Sequence, residues 1–325
     1  MNDQKRAFIT GIGGQDGSYL AEYLHGLGYK VYGLVRYSTT RDGYPNLTNL
    51  SDDIEIIEGD LTDQMAISRI IRRIKPHEVY NLAAQSHVGK SFEYPQFTAD
   101  VTAMGVIHLL EAIRQSDFYS KFYQASTSEL FGNAEQTPQH ELTPFHPRSP
   151  YAVSKLFAHH MVRLYRESYN MFACSGILFN HESPRRGDNF VTQKVCKAAA
   201  KIALGDQSVL ELGNLDARRD WGHARDYVRG MHAMLQHTEP DDFVLATGKS
   251  HSIRDLLASA FSHPLVNLNP DDFVQVNPKF FRPAEVHTLM GDASKAKRIL
   301  GWEPETSFEE MIHEMVAEQF NKVSS

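Results

Sequence analysis

The sequence predicts an α/β protein: an open, doubly wound parallel sheet followed by a smaller α/β lobe. Two observations carry that expectation. Short β-prone runs alternate with helical patterns over residues 1–180, and such alternation builds a parallel sheet with helices on both faces. After Leu178 the pattern turns irregular and rich in Arg, Gly and Pro.

The elements follow in order. Arg6–Thr10 is a short β-prone run, and Ser18–Leu27 sets Tyr19, Leu20, Tyr23, Leu24 and Leu27 on one helical face. Lys30–Val35 and Ile54–Ile57 read as the second and third strands. Gln64–Ile74 is helical and stops before Pro76, a residue that cannot continue a helix. His77–Asn81 is a fourth strand, Val101–Ile113 a helix and Lys121–Ala125 a fifth strand. Tyr151–Tyr169 is a long helix and Ala173–Leu178 a sixth strand. The expected division is a first domain over 1–180 and a second lobe over 181–325, with 214–248 returning to the first sheet. Crossing of that kind leaves a cleft between lobes, where ligands bind.

Composition narrows the class. Hydrophobic residues make up 42% and charged residues 22%, ordinary for a globular protein. No apolar run approaches the ~20 residues of a membrane helix, so no membrane role is expected. Met1–Lys5 is polar and leads into the first strand, so no secretory signal is expected. Cys174 and Cys196 form no C-x-x-C pair, which argues against a disulfide scaffold and fits a reducing cytoplasm. Cys174, in an apolar strand, reads as a small buried hydrophobe. The histidines show no pair at metal-site spacing near the residues singled out below, so no metal is expected. A net charge of −7 argues against nucleic acid as a partner but leaves room for a local basic pocket.

The first strand ends at Thr10 and is followed by Gly11-Ile12-Gly13-Gly14-Gln15-Asp16-Gly17. Glycines 11, 14 and 17 allow a tight turn and let backbone N–H groups approach a pyrophosphate at the helix N-terminus. The motif is weak alone, but its place between strand and helix makes a dinucleotide site the expectation. The second strand then chooses between NAD and NADP. An acid there would hold the ribose 2′-OH, whereas this chain has Val35-Arg36-Tyr37-Ser38-Thr39-Thr40-Arg41. Arg36, Ser38 and Arg41 suit a 2′-phosphate instead. Asp60-Leu61, after the third strand, would meet the adenine, or Asp60 would cap a helix in competition with Asp63. Leu82-Ala83-Ala84, after the fourth strand, would line the cofactor channel.

Tyr151 and Lys155 form Y-x-x-x-K, one turn apart on one helix face. Ser149-Pro150 supplies a cap and a first-turn proline. A nearby ammonium is expected to stabilise the phenolate and lower the tyrosine pKa. With 14 tyrosines in the chain a lone match is weak, so its position after the fifth strand carries it. That strand runs into Ser126-Thr127-Ser128-Glu129, at the strand end where α/β folds bind ligands. A carboxylate there suits proton removal beside a carbonyl and elimination of water. The other reading is that Thr127 and Glu129 cap the next turn.

These segments resemble the extended short-chain dehydrogenase/reductase family, with its Rossmann-type sheet, and within it the GDP-mannose 4,6-dehydratases. The resemblance covers about residues 5–315. It is carried by Gly11–Leu20, VYNLAAQSHV, FYQASTSELFG, PRSPYAVSK, GILFNHESPRRG, LGNLDARRDWGHARDY and FRPAEVHTLMGD.

The resemblance implies bound NADP, recycled rather than consumed, and a GDP-sugar substrate. By it, Tyr151 takes the C4-hydroxyl proton as hydride leaves for NADP⁺, with Lys155 its partner. Glu129 moves the C5 proton, Thr127 polarises the new carbonyl, water leaves C6 and the hydride returns there. It further implies that Gly11, Gly14, Gln15, Asp16, Gly17, Arg36, Ser38, Asp60, Leu61, Leu82, Ala84, Ser86, Tyr151, Lys155, His181 and Arg186 meet the cofactor, Lys155 holding the nicotinamide ribose. Ser86, Ser128, Asn180, Val191, Lys194, Arg219, Arg282 and Glu285 would meet the substrate. A homodimer or homotetramer is implied, the dimer through Val101–Ile113 and Tyr151–Tyr169.

Two departures stand out. The family's Arg-Arg-Ser-Ser is Arg36-Tyr37-Ser38-Thr39 here, which weakens the expectation of a tetramer. Its F-V-T-R-K is Phe190-Val191-Thr192-Gln193-Lys194, which leaves the sugar open, a GDP-heptose being one alternative. A nucleotide-sugar epimerase or reductase shares the fold and the Tyr–Lys pair, but eliminates no water and has no need of Glu129. An inactive NADP sensor would be expected to lack the pair.

Overall fold

The computed structural model describes residues 4–324 apart from 38–43, 49, 282–285 and 287. β1 (Arg6–Thr10) carries Ala7, Phe8 and Ile9 without any exposed surface, as expected of a strand covered on both faces. A glycine turn leads into α1 (Gln15–Gly26) and then β2 (Lys30–Val35). The helix starts earlier than the Ser18 read from its apolar face, because Gly14 is its N-cap and offers no side-chain signal. β3 (Glu55–Glu58) precedes α2 (Gln64–Ile74). Asp63, not Asp60, caps α2 by accepting from Ala66 N at 2.9 Å. Asp60 instead accepts from the Thr62 backbone and hydroxyl.

β4 (Glu78–Asn81) is followed by two short helices, α3 (Val88–Glu93) and α4 (Pro95–Ala99). The single helix expected from Val101 is interrupted: Asp100–Met104 winds as a π-turn before α5 (Gly105–Arg114). β5 (Lys121–Ala125) and the long α6 (Pro150–Tyr169) come next, α6 capped by Ser149 on Ala152 N. β6 (Ala173–Leu178) follows, then β7 (Asn180–Glu182), α7 (Val191–Ala203), β8 (Leu210–Leu212) and β9 (Arg218–His223). α8 (Ala224–Gln236) and β10 (Phe243–Leu245) precede β11 (Ser250–Ser252), α9 (Ile253–Phe261) and β12 (Val274–Val276). α10 (Ser294–Leu300) and α11 (Phe308–Ser324) close the chain.

The large sheet runs β10-β6-β5-β4-β1-β2-β3, and every neighbouring pair is parallel. The order reverses between β1 and β4, where open α/β sheets hold ligands beyond the strand ends. Leu20, Leu24, Tyr227 and Met231 from α1 and α8 cover one face. Ile67, Ile71, Leu109 and Val162 from α2, α5 and α6 cover the other. So α8 and β10, late in the chain, belong to the first sheet. A separate core of Val195, Leu256, Met311 and Met315 joins α7, α9 and α11. β7, β9 and β11 form a three-stranded sheet and β8 pairs with β12. Among the described residues no helix is long and apolar enough to cross a membrane.

Candidate functional site

A cavity of about 1040 Å³ opens where the sheet order reverses, walled by both lobes. On the sheet side it is lined by Gly11, Gly14, Gln15, Asp16 and Gly17, then Leu82, Ala84 and Ser86. Thr127, Ser128 and Glu129 follow β5, and Tyr151 and Lys155 face in from α6. The opposite wall has Asn180, His181, Arg186, Val191, Lys194 and Arg219. Ser38, Arg41, Arg282 and Glu285 lie outside the described residues.

The glycine turn has the form an anion needs. Gly11 has φ of +72°, in the left-handed region that favours glycine. A Cβ on Gly11 would stand 2.9 Å from Ala83 N, and one on Gly17 would collide with the Gly11 carbonyl. No side chain caps α1, so its first N–H groups remain available, and the helix dipole favours negative charge there. Gln15 and Asp16 turn their side chains toward the other lobe. Gln15 Nε2 donates to His181 O at 3.0 Å, and Ser183 Oγ donates to Gln15 Oε1 at 2.8 Å.

At the catalytic wall, Thr127 is the cap foreseen as its plainer role: its Oγ1 accepts from Glu129 N at 3.2 Å. The same hydroxyl also bonds the Tyr151 side chain. Lys155 Nζ donates to Ala125 O at 2.7 Å and stands 5.9 Å from the Tyr151 ring centre. The expected drop in the tyrosine pKa is absent. Burial pushes the Tyr151 phenol well above its ordinary value; the Thr127 bond pulls it down, and the Glu129 charge adds to the rise. Burial also pulls Lys155 down to about 8. Burial decides both shifts because the lysine is aimed at a carbonyl, not at the phenol.

The opposite wall is basic, but its donors are partly engaged. Lys194 Nζ donates to Glu211 O at 2.6 Å and lies 4.2 Å from the Phe280 ring centre. Arg219 Nη1 donates to the Arg218 and Val286 carbonyls, each at 2.8 Å. Arg186 pairs with Glu182 at 3.0 Å and covers the Phe190 ring. Gln193 is buried away from the cavity, its Nε2 on Pro184 O, so the missing charge there is not on the wall.

Arg36, Asp60 and Leu61 stand apart from the cavity lining. Arg36 is exposed just past β2, and Leu61 is buried in the apolar core beside α2 and α5. Sequence reasoning did not single out the roles of α3 or the Lys279–Phe281 rim, which bring His87, Lys90, Lys279 and Phe280 to the cavity. His87 and Phe281 lie in quoted segments without a role assigned to them, and no motif marks Lys90, Lys279 or Phe280. Among the described residues no cluster of three metal-binding groups occurs, and both cysteines are buried and free.

The profile of the GDP-mannose 4,6 dehydratase family matches residues 8–315. A GDP-mannose 4,6-dehydratase of Vibrio cholerae is 50% identical, covering 97% of this chain and 94% of that protein. A GDP-mannose 4,6 dehydratase of Arabidopsis thaliana is 52% identical, covering 98% and 87%. The structure of a Thermus thermophilus UDP-glucose 4-epimerase in complex with NAD superposes with a TM-score of 0.84 at 26% identity, covering 97% and 98%. With a profile matched over nearly its whole length and half its residues shared with such relatives, the chain belongs to the GDP-mannose 4,6-dehydratase family.

Proposed function

We propose that Tyr151, Lys155, Thr127 and Glu129 carry out the 4,6-dehydration of GDP-mannose, giving GDP-4-keto-6-deoxymannose and water. The observation that carries this reading is the placement of Glu129 on the same cavity wall as the Thr127–Tyr151 pair. An epimerase needs only the hydroxyl and the tyrosine; a dehydratase also needs a base at C5.

The glycine turn and the uncapped start of α1 fit a nicotinamide dinucleotide, with Leu82 and Ala84 beside it. When bound, the nicotinamide supplies a reversible two-electron acceptor. NADP is the form favoured, since Arg36 stands past β2 where an acid would otherwise select NAD. Tyr151 acts as the phenolate, the form that burial opposes and that positive charge from Lys155 and a bound nicotinamide ring would favour; its Oη accepts the C4-hydroxyl proton, held in place by the Thr127 hydroxyl. Lys155, when charged, favours the phenolate by its ammonium. Glu129 takes the C5 proton, which the neighbouring C4 carbonyl makes acidic, and passes it to the departing C6 hydroxyl, which leaves as water; the proton that Tyr151 took from the C4 hydroxyl balances the one C5 regains when C6 is reduced. Lys194 and Arg219 offer positive charge to the GDP diphosphate.

The chain is further read as a dimer. Phe97 on α4, Met104 before α5, and Val153, Phe157 and Leu164 on α6 are large exposed apolar residues. On α6 they recur along one helix face, and such a surface marks a protein contact.

Replacing Glu129 by Gln tests the assignment. The variant should oxidise C4 yet form dehydrated sugar roughly 10²–10⁴-fold more slowly. Over the time in which the wild type converts its substrate, mass spectrometry should find no loss of water, and C5 should take up no deuterium from solvent. Dehydration at the wild-type rate would leave Glu129 a capping residue and return the reading to an epimerase or reductase.

A further inference from the structure

We propose that the Asp16–His181 ion pair sets the affinity for the cofactor: charged His181 cancels the Asp16 carboxylate beside the pyrophosphate cradle, and loss of the His181 proton weakens binding. This rests on the dinucleotide reading above and adds to it a role for two side chains that face each other.

Asp16 sits in the first turn of α1, the turn whose N–H groups are to receive a pyrophosphate. A bare carboxylate there would repel the incoming anion. His181 Nε2 lies 2.8 Å from Asp16 Oδ2, and its Nδ1 lies 2.7 Å from Phe179 O. Both partners are acceptors only, so both ring nitrogens must donate, which requires the imidazolium. Gln15 Nε2 holds the remaining oxygen, Asp16 Oδ1, at 3.1 Å. The Tyr227 ring of α8 stacks on the imidazole at 4.4 Å. The carboxylate is thus masked on the protein side by a cation that can be removed.

The other charges nearby do not replace it. Arg186 faces the pair from the loop after β7; its charge favours the Asp16 carboxylate and opposes the His181 proton, but it is itself paired with Glu182. Tyr227 of α8 and Tyr123 of β5 are raised well above their ordinary values by burial and stay neutral. Tyr151 and Lys155 of α6 feel the Asp16 charge from the catalytic side. Burial pulls the His181 imidazole down, but the Asp16 charge and hydrogen bond outweigh it and raise the net value. Against burial, the same partner, with smaller help from Arg186 and Gln15, holds Asp16 below its ordinary value. His181 therefore gives up its proton at a higher pH than an ordinary imidazole, and the masking is lost on the alkaline side.

The test is a fluorescence titration of the full chain with NADPH, without sugar nucleotide, at a series of pH values from about 7 to about 9.5. Wild-type Kd should rise on the order of tenfold over that range, the usual scale of coupling between two binding events. Asp16→Asn should bind NADPH at neutral pH at least as well as wild type and lose most of the rise. His181→Asn should bind at neutral pH as weakly as alkaline wild type, and Asp16→Asn in that background should restore binding. The wild-type profile needs no variant to fold. A flat wild-type profile would overturn the inference. So would an Asp16→Asn profile as steep as wild type, since the loss would then belong to Lys155. Absence of saturable NADPH binding at every pH would overturn the dinucleotide reading and the inference with it.

Discussion

The two walls of the cavity are built differently. The sheet-side wall takes its groups from the segments just past β1, β4 and β5, from the start of α1 and from the first two turns of α6, all anchored on the one seven-stranded sheet. The opposite wall takes its groups from short strands, helix starts and loops, and its cations lean on carbonyls of neighbouring segments. Chemistry needs fixed geometry, and fixed geometry comes from packed elements. Recognition of a charged, flexible ligand tolerates donors that first rest on the backbone and then turn to the substrate. The difference assigns rate to one wall and affinity to the other, and substitutions can break that assignment.

The largest effect is expected at the sheet-side wall. Tyr151→Phe keeps the ring that fills the buried site but removes the oxygen that takes the C4 proton. kcat should fall roughly 10²–10⁴-fold with KM little changed, read from single-turnover oxidation of GDP-mannose. A loss in KM alone would put Tyr151 among the binding groups. A smaller effect is expected at the opposite wall. Lys194→Met keeps the stem over Phe280 and removes the ammonium, so KM should rise roughly tenfold to a hundredfold, the scale of a charged hydrogen bond, with kcat nearly unchanged. A fall in kcat of the same size would mean that the second wall also holds the reacting sugar.

The same division explains what could be read from sequence. β1, β2, α2, β5 and β6 have the bounds expected of them, because apolar runs, a cap and a proline mark them locally. The sheet-side lining comes from contiguous motifs at strand ends, where spacing alone brings residues together. The π-turn at Asp100–Met104 has no local marker, and Pro95 obscures the two short helices before it. β7, β8, β10, β11 and β12 are three-residue strands, too short for periodicity to show. Lys279 and Phe280 reach the cavity only because β12 pairs with β8, a contact set by tertiary packing. The direction of the Tyr151 shift was equally hidden, since burial is not written in a four-residue spacing.

The smallest effect expected is a pH dependence, and it separates chemistry from fold at a single residue. Lys155 is buried and its pKa is pulled down from 10.5 to about 8. Only the charged form favours the Tyr151 phenolate, so the competent fraction falls as pH rises through that value. kcat/KM, which reports the free enzyme, should stand at about half its plateau at pH 8 on this account. Stability runs the other way. Between about 8 and 10.5 the unfolded chain keeps a proton that the folded chain has released, so folding is favoured as pH rises through that window. Below it both states are charged, and the cost of burying the ammonium is fully present. Lys155→Met removes this dependence, and subtracting its melting profile from that of the wild type cancels other titrating groups, His181 included, to first order. The difference in Tm should move in favour of the wild type across that window while wild-type kcat/KM declines. If both declined together, the alkaline loss of activity would be loss of fold, and Lys155 would have no titration of its own in catalysis.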